Sequence, residues 1–225
     1  MSNIITKKNK NADKKTLLVN LIQAAKGYKE NIVGNVFMYV FDNRYIEVNF
    51  KIENFKHLTG IESFHTPKSF FKDCIKNKLT ISQFYFSSRH PFKTAKQKIY
   101  HLNNLFNMLT SECFIQESIT TDYATFKFGT TNLNFSIMLG EDIDESTNIM
   151  RSSFYIPKSL RDKDCFDKST NVYNVNYIFC KKNSEKKYSK ILYFDKSFNH
   201  LPNEVYEKLN IELQNFINSN KKVTI

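Results

Sequence analysis

The 225-residue sequence contains no tryptophan and only five glycines, four prolines and four cysteines. So little glycine leaves no room for the loops that cradle phosphates with backbone amides, and neither G-x-S-x-G nor H-E-x-x-H occurs. Cys74, Cys113, Cys165 and Cys180 lie far apart with no C-x-x-C spacing. They therefore read as reduced thiols of a cytoplasmic protein, with no paired knuckle for zinc; no metal and no cofactor are expected. The longest apolar runs, such as residues 36–41, fall far short of the roughly 20 residues of a membrane helix. No stretch combines a basic region, a long apolar run and a small-residue cleavage site, so neither a membrane partner nor a secretory leader is expected.

Hydrophobic residues make up 41% of the chain and aromatic residues 15%, with 21 Phe and 12 Tyr. That composition builds a core and excludes disorder, and the length fits one domain. Lys and Arg number 33 against 22 Asp and Glu, a formal net charge of +11. Only Arg44, Arg89, Arg151 and Arg161 are arginines, and the lysine excess beside abundant Asn and Phe is what an AT-rich coding sequence produces. The charge permits a polyanion such as nucleic acid as partner; it speaks to association and not to fold.

Residues 1–12 are polar and basic and are expected to fray, leaving a domain over 13–225. Leu17, Leu18, Leu21, Ile22, Ala25 and Tyr28 recur at helical spacing behind Asp13, a capping residue. Two runs rich in Val, Phe, Tyr and Ile flank Asp42-Asn43-Arg44, the signature of a β-hairpin. Thr66 before Pro67 caps a second helix, a helical turn is expected at 80–84, and a long amphipathic helix at 91–109. From Cys113 the period becomes two: FIQESI, YATFKFG, NLNFSIMLG, RSSFYIP, VYNVNYIFCKK and YSKILYF read as strands, with a loop at 141–148. Leu201-Pro202-Asn203 opens a last helix carrying Val205, Leu209, Leu213 and Phe216. Helices first and strands second give an α+β fold with an antiparallel sheet.

Three stretches gather groups able to do chemistry. His57, in NFKHLTGI, sits at an element junction beside Thr59 and Gly60, and imidazole is the side chain suited to proton transfer near neutrality. The bland alternative is a histidine that caps a turn or packs between Phe55 and Phe64. RSSFYIPKSL collects Arg151, Ser152, Ser153, Lys158 and Ser159 around one short strand, as phosphate donors or as a charge-guarded strand edge. IFCKKNSEKKYSKILYF places Lys181, Lys182, Lys186, Lys187 and Lys190 with Tyr188 on a hairpin, either solvated or in contact with single-stranded RNA. Lys93, Lys96 and Lys98 on the long helix share that ambiguity. Glu141, Asp142, Asp144 and Glu145 lack the order of a calcium loop and read as a solvated acidic loop.

In these same stretches YIEVNFKIENFKHLTGI, KSFFKDCIKNKLT, TAKQKIYHLNNLF, SSFYIPKSL and VNYIFCKKNSEKKYSKILYF follow one another as in a known family. Over about residues 30–195 the chain resembles the fourth group of the phage-associated barnase, EndoU, colicin and RelE-like nucleases. The resemblance implies helices followed by an antiparallel sheet, and an endoribonuclease of phage or mobile-element origin that needs no metal and acts as a toxin or in phage–host conflict. It implies RNA as substrate, a neutralising antitoxin or immunity protein, or a host protein target, in the cytoplasm of a bacterial host. The H-L-x-G-type motif falls on His57 to Gly60, the strand-end P-x-S-L motif on Pro157 to Leu160, and the late basic position on Lys181, with an aromatic at Tyr188. Catalytic roles are thereby implied for His57 as acid or base, Ser159 as phosphate-positioning group, Lys181 as the cation at the phosphorane and Tyr188 as a stacking ring or proton donor. Nucleic-acid contacts are implied for Thr59, Lys98, Arg151, Lys158 and Lys182; Lys158 stands where some members carry Arg, and supplies a point charge in place of a bidentate fork. The competing expectation is a non-catalytic phage-borne protein that binds or inhibits a host protein or nucleic acid on the same scaffold.

Overall fold

The computed structural model describes residues 2–122, 124–144, 146–197 and 200–220, with side chains from residue 11 onward. In chain order the elements are α1 Ser2–Asn31, β1 Asn35–Phe41, β2 Arg44–Asn49, α2 Asn54–Thr59, β3 Glu62–Ser63, α3 Pro67–Ile75, β4 Phe84–Tyr85, α4 Phe92–Asn103 and α5 Leu105–Leu109. There follow β5 Phe114–Thr120, β6 Thr125–Thr131, β7 Ser136–Asp144, β8 Ile149–Arg161, a 3-10 turn Phe166–Lys168, β9 Asn171–Asn174, β10 Tyr177–Lys182, β11 Lys190–Phe194, α6 Asn203–Glu207 and α7 Ile211–Asn220. The chain divides into two compact units, the first formed by Met1–Val33 and Lys51–Phe106 and the second by Gly34–Phe50 and Asn107–Ile225.

In the first unit, α1 buries Leu17, Leu21, Ala24, Ala25 and Tyr28, the stripe that the 3.6-residue period marks. The Tyr28 ring lies 5.3 Å from Phe55 and edge-on to Phe71 at 5.9 Å, and its hydroxyl donates to the Lys51 carbonyl at 3.0 Å. Thr66 caps α3 as its sequence indicates, its Oγ1 accepting the Ser69 N–H at 3.2 Å with Pro67 in the first turn. Asp13 is no cap: with no breaker before it, α1 starts at Ser2 and runs through that position. The basic segment 1–12 falls largely outside the residues whose side chains are described. The expected helical turn at 80–84 is instead a turn leading into β4, which pairs antiparallel with β3 through Glu62 opposite Tyr85 and Ser63 opposite Phe84. The long helix expected at 91–109 breaks at Asn104 into α4 and α5.

The second unit is built on a nine-stranded sheet in the order β11-β10-β1-β2-β8-β7-β6-β5-β9. Its pairs are antiparallel except β2 with β8, which run parallel with Val48 opposite Tyr155. Asp42 and Asn43 take φ of 46° and 55° at the β1–β2 turn, the left-handed pair that a two-residue hairpin needs. The segment read as one strand, VYNVNYIFCKK, is two: β9 pairs β5 at one edge of the order, and β10 pairs β1 near the other. Between them the Val175 N–H bonds the Cys113 carbonyl at 3.0 Å and the Asn176 N–H bonds Val40 at 2.8 Å, so the sheet curls on itself. Its concave side holds Phe41 edge-on to Phe128 at 6.1 Å, and Phe128 edge-on to Tyr155 at 5.2 Å. On the other side Val36, Met38, Val40, Tyr177 and Phe179 pack with Val205, Leu209, Leu213 and Ile217 of the C-terminal helices.

The loop expected at 141–148 is half strand, because β7 continues to Asp144. Asp142 is only 1% exposed and accepts from Ser152 Oγ at 2.8 Å, so this part of the acidic run is not solvated; Glu145 lies outside the described residues. All four cysteines are buried and free, and burial pushes the thiols of Cys74 and Cys113 up to about 12.

The β1–β2 hairpin is clasped to β5 by Arg44, whose guanidinium donates to both carboxylate oxygens of Glu117 at 2.9 Å. It also lies between the rings of Phe41 and Tyr173, 5.0 and 4.8 Å from their centroids. The hydrogen bond from Arg44 holds the Glu117 carboxyl below its ordinary range. A carboxyl depressed in the folded state stabilises the fold above its unfolded value of about 4.3 and stops doing so as pH falls through the folded value. Arg44→Met keeps much of the packing between the rings and removes the fork; it is expected to cost about 1–2 kcal/mol at pH 7. In urea denaturation followed from pH 7 down to pH 3, the difference from wild type should shrink below about pH 4.3. A difference that stays constant across that range would show that the carboxylate is not what the arginine holds.

Candidate active site

His57 projects from α2, a single-turn helix that ends at Gly60 in the left-handed conformation, φ 66°. Its side chain is exposed, so it is not the core histidine packed between Phe55 and Phe64. Thr59 is 0% exposed; its hydroxyl donates to the Lys56 carbonyl at 2.7 Å and accepts from the Ile61 N–H at 3.1 Å. Lys98 of α4 is 9% exposed and its aliphatic stem crosses Gly60, where a Cβ would stand 3.0 Å from Lys98 Cδ. His57, Thr59 and Lys98 thus belong to one corner of the first unit, with Thr59 closing the helix end and Lys98 covering it.

Beside that corner the first unit carries two histidines held by carboxylates. His90 Nδ1 is 2.7 Å from Glu62 Oε1, and His65 Nδ1 is 2.8 Å from Asp73 Oδ2, which also accepts from Ser69 Oγ at 3.3 Å. Both pairs are partly open, with side-chain exposures of 34% and 35% for His90 and Glu62, and 22% and 24% for His65 and Asp73. A carboxylate on Nδ1 fixes ring orientation and tautomer and leaves Nε2 as the nitrogen able to exchange a proton with a substrate. Lys56 Nζ donates to the carbonyls of Ser63 at 2.7 Å and His65 at 2.8 Å, tying α2 to the β3 segment. Burial lowers its ammonium from the ordinary lysine range. Glu62 lies opposite Tyr85 across the β3–β4 pair, so the His90–Glu62 pair adjoins a ring that is 42% exposed.

The remaining sequence candidates lie in the second unit. Ser159 and Lys158 are half-buried on β8, and Lys158 is the extra residue of a bulge, because Met138 faces Ser159 while Leu139 faces Pro157. The Lys158 stem lies across Gly140, where a Cβ would come within 2.9 Å of Lys158 Cγ. Arg151 is exposed and bonds Asp144 Oδ2 at 2.6 Å; the Ser146 hydroxyl and then Arg151 hold that carboxyl far below the usual range. Lys182 is exposed at the end of β10. Lys181 stands 4.8 Å over the Tyr188 ring and reaches the Lys186 carbonyl at 3.4 Å. Tyr188 itself is 0% exposed, and its hydroxyl donates to Glu47 Oε1 at 2.6 Å. Burial and then Glu47 push its phenol far above the ordinary tyrosine range. The Glu47 carboxylate also faces Lys208 Nζ at 3.6 Å.

Lys181 and Tyr188 are therefore neighbours, as are Lys158 and Ser159, whereas Arg151 is engaged at the far end of β8. Sequence reading missed Glu47 and gave no weight to the His90–Glu62 and His65–Asp73 pairs. For His65 a signal existed, since Ser69 and Asp73 share a face of the helix that His65 precedes; for the others, 28 and 141 residues separate the partners. Among the described residues no group of three or more His, Cys, Asp or Glu side chains could hold a metal ion, and no helix is long and apolar enough to cross a membrane.

No curated protein and no solved structure matches the chain. A family model does, over residues 20–197, and its description is phage-Barnase-EndoU-ColicinE5/D-RelE like nuclease4. The α+β order of helices, curled sheet and C-terminal helices agrees with that assignment. With most of its length matched, including every stretch that carries a candidate residue, the chain belongs to this phage-associated nuclease family.

Proposed function

We propose that the protein is an endoribonuclease that cleaves RNA by attack of a 2′-hydroxyl on the adjacent phosphate. A base takes the 2′-hydroxyl proton, a bond forms from the 2′-oxygen to phosphorus, and the bond to the 5′-oxygen breaks as an acid protonates it. The products are a 2′,3′-cyclic phosphate and a 5′-hydroxyl, and no metal takes part. Besides the family match, the observation that supports this reading is the His90–Glu62 pair, an imidazole held by a carboxylate with its side chain one-third exposed. His57, exposed on α2, is the second imidazole proposed for proton transfer. In the second unit, Lys158, Ser159 and Lys182 are proposed as contacts to the RNA backbone, with Arg151 as an outlying one; Lys181 stands over the buried Tyr188 ring as one packed pair. A toxin role in a bacterial cytoplasm, opposed by a neutralising partner, follows if expression arrests growth and the histidine variants relieve it.

The experiment is incubation of the purified protein with total RNA in EDTA, followed by end-group analysis. Fragments ending in 2′,3′-cyclic phosphate are expected from the wild type. Intact RNA under all conditions, together with tight salt-sensitive binding, would overturn the reading in favour of a binding protein on a nuclease scaffold.

A further inference from the structure

Phe64 is the most exposed large hydrophobic side chain of the described residues, at 88%, and it is not alone. Its ring centroid lies 5.3 Å from that of Tyr85, itself 42% exposed, with 40° between the planes. The two rings are held in place by short elements. Tyr85 faces Glu62 across the β3–β4 pair, Ser63 is anchored beneath by its hydroxyl to the Gln83 carbonyl at 2.8 Å, and Lys56 bonds the carbonyls on either side of Phe64. Beyond β4 the chain turns sharply: the Ser87 N–H bonds the His90 carbonyl at 3.2 Å, and the His90 N–H bonds Ser87 Oγ at 3.1 Å. That turn carries Arg89 in an exposed position next to His90.

A nearly naked phenylalanine forfeits the burial that normally holds such a ring, so its presentation on a braced pair of strands calls for an occupant. Two rings offer at most a few hundred Å², well below the area of a stable protein interface, but matched to one nucleobase. The flanking charge agrees: an exposed arginine on the adjoining turn suits a phosphate, while the Glu62 carboxylate on the same strand pair offers an acceptor for base N–H groups.

The geometry points to Phe64 and Tyr85 as a stacking platform for one unpaired nucleobase, which makes single-stranded RNA the substrate class of this nuclease. This rests on the endonuclease reading above. A base inside a duplex is stacked on its neighbours on both faces and cannot reach the platform, whereas a splayed base of a loop or single strand can.

The absence of tryptophan makes the test direct. Phe64→Trp, at an exposed position, installs a single tryptophan in a chain that has none. The probe is a single-stranded 2′-O-methyl oligonucleotide of mixed sequence, which lacks the attacking hydroxyl and is bound without being cut. Its addition is expected to quench the tryptophan, the annealed duplex is expected to leave the emission unchanged, and Phe64→Ala is expected to weaken single-strand binding about fivefold or more. No quenching together with wild-type affinity in Phe64→Ala, or equal quenching by the duplex, overturns the platform. Cleavage of unmodified RNA by the wild type is scored separately. Quenching without cleavage keeps the platform and sinks the endonuclease reading; cleavage without quenching sinks the platform alone.

Discussion

His90→Ala is expected to lower the rate of RNA cleavage by about two to four orders of magnitude, the range that a positioned acid or base contributes. The expectation follows from the side chain's surroundings. Glu62 engages Nδ1 at 2.7 Å, so Nε2 is the nitrogen available to a substrate, and the side chain is 34% exposed. The loss should appear in kcat with KM little changed, because the exchanged proton matters at the transition state more than in the ground state. Glu62→Gln keeps a hydrogen-bonding oxygen but removes the carboxylate that holds Nδ1, and its rate is expected to fall between those of wild type and His90→Ala. Neither residue is in the buried core, so thermal unfolding should change little and separates lost chemistry from lost fold. Initial rates on a short RNA in EDTA decide the matter. If His90→Ala cleaves like wild type while His57→Ala does not, the proton transfer belongs to α2; if both cleave normally and His65→Ala does not, it belongs to the His65–Asp73 pair, and if all three cleave normally these imidazoles are ruled out.

Much of the fold could be read locally, and the parts that could not share one physical character. The Leu17, Leu21, Ala25 and Tyr28 stripe, the Thr66-Pro67 cap and the Asp42-Asn43 turn are each determined by neighbours within four residues, and each stands where the pattern puts it. The division of one alternating run into β9 and β10 was not legible. Its side chains alternate on both sides of Val175, and what changes there is the partner strand, more than fifty residues away in the chain on either side. The extension of β7 through Asp144 was hidden by composition, since an acidic run reads as a loop until Ser152 on the next strand supplies a donor for Asp142. The site follows the same rule. His57 stood out because its neighbours in sequence are its neighbours in space. His90 did not, because the Glu62 that gives it a chemical role lies beyond α3 and the whole of β4.

Tyr188→Ala is expected to cost about 3–5 kcal/mol, the range for removing a large buried ring without refilling its space. The ring is wholly buried in the cluster where Val36, Met38 and Phe179 of the sheet meet Val205, Leu209 and Leu213 of the C-terminal helices. Its backbone adds to the anchorage, the Tyr188 N–H bonding the Lys208 carbonyl and the Asn210 N–H bonding the Tyr188 carbonyl, each at 2.9 Å. Urea denaturation should show a large drop in midpoint for the alanine variant. Tyr188→Phe isolates the hydroxyl, whose loss deprives Glu47, a carboxylate only 14% exposed, of its 2.6 Å donor and leaves it Lys208 at 3.6 Å. That is expected to cost about 1–3 kcal/mol, the penalty of a poorly satisfied buried acceptor. The two readings of this tyrosine then predict opposite results from one protein. A proton donor replaced by phenylalanine would lose cleavage and keep its stability, whereas a structural clamp would lose stability and, at a temperature where it remains folded, cleave like wild type. The phenol is held far above its ordinary range by burial and by Glu47, and is donated inward, so the second pattern is expected. Full stability with cleavage abolished would return Tyr188 to the reaction and require the C-terminal helices to move away from the sheet for RNA to reach it.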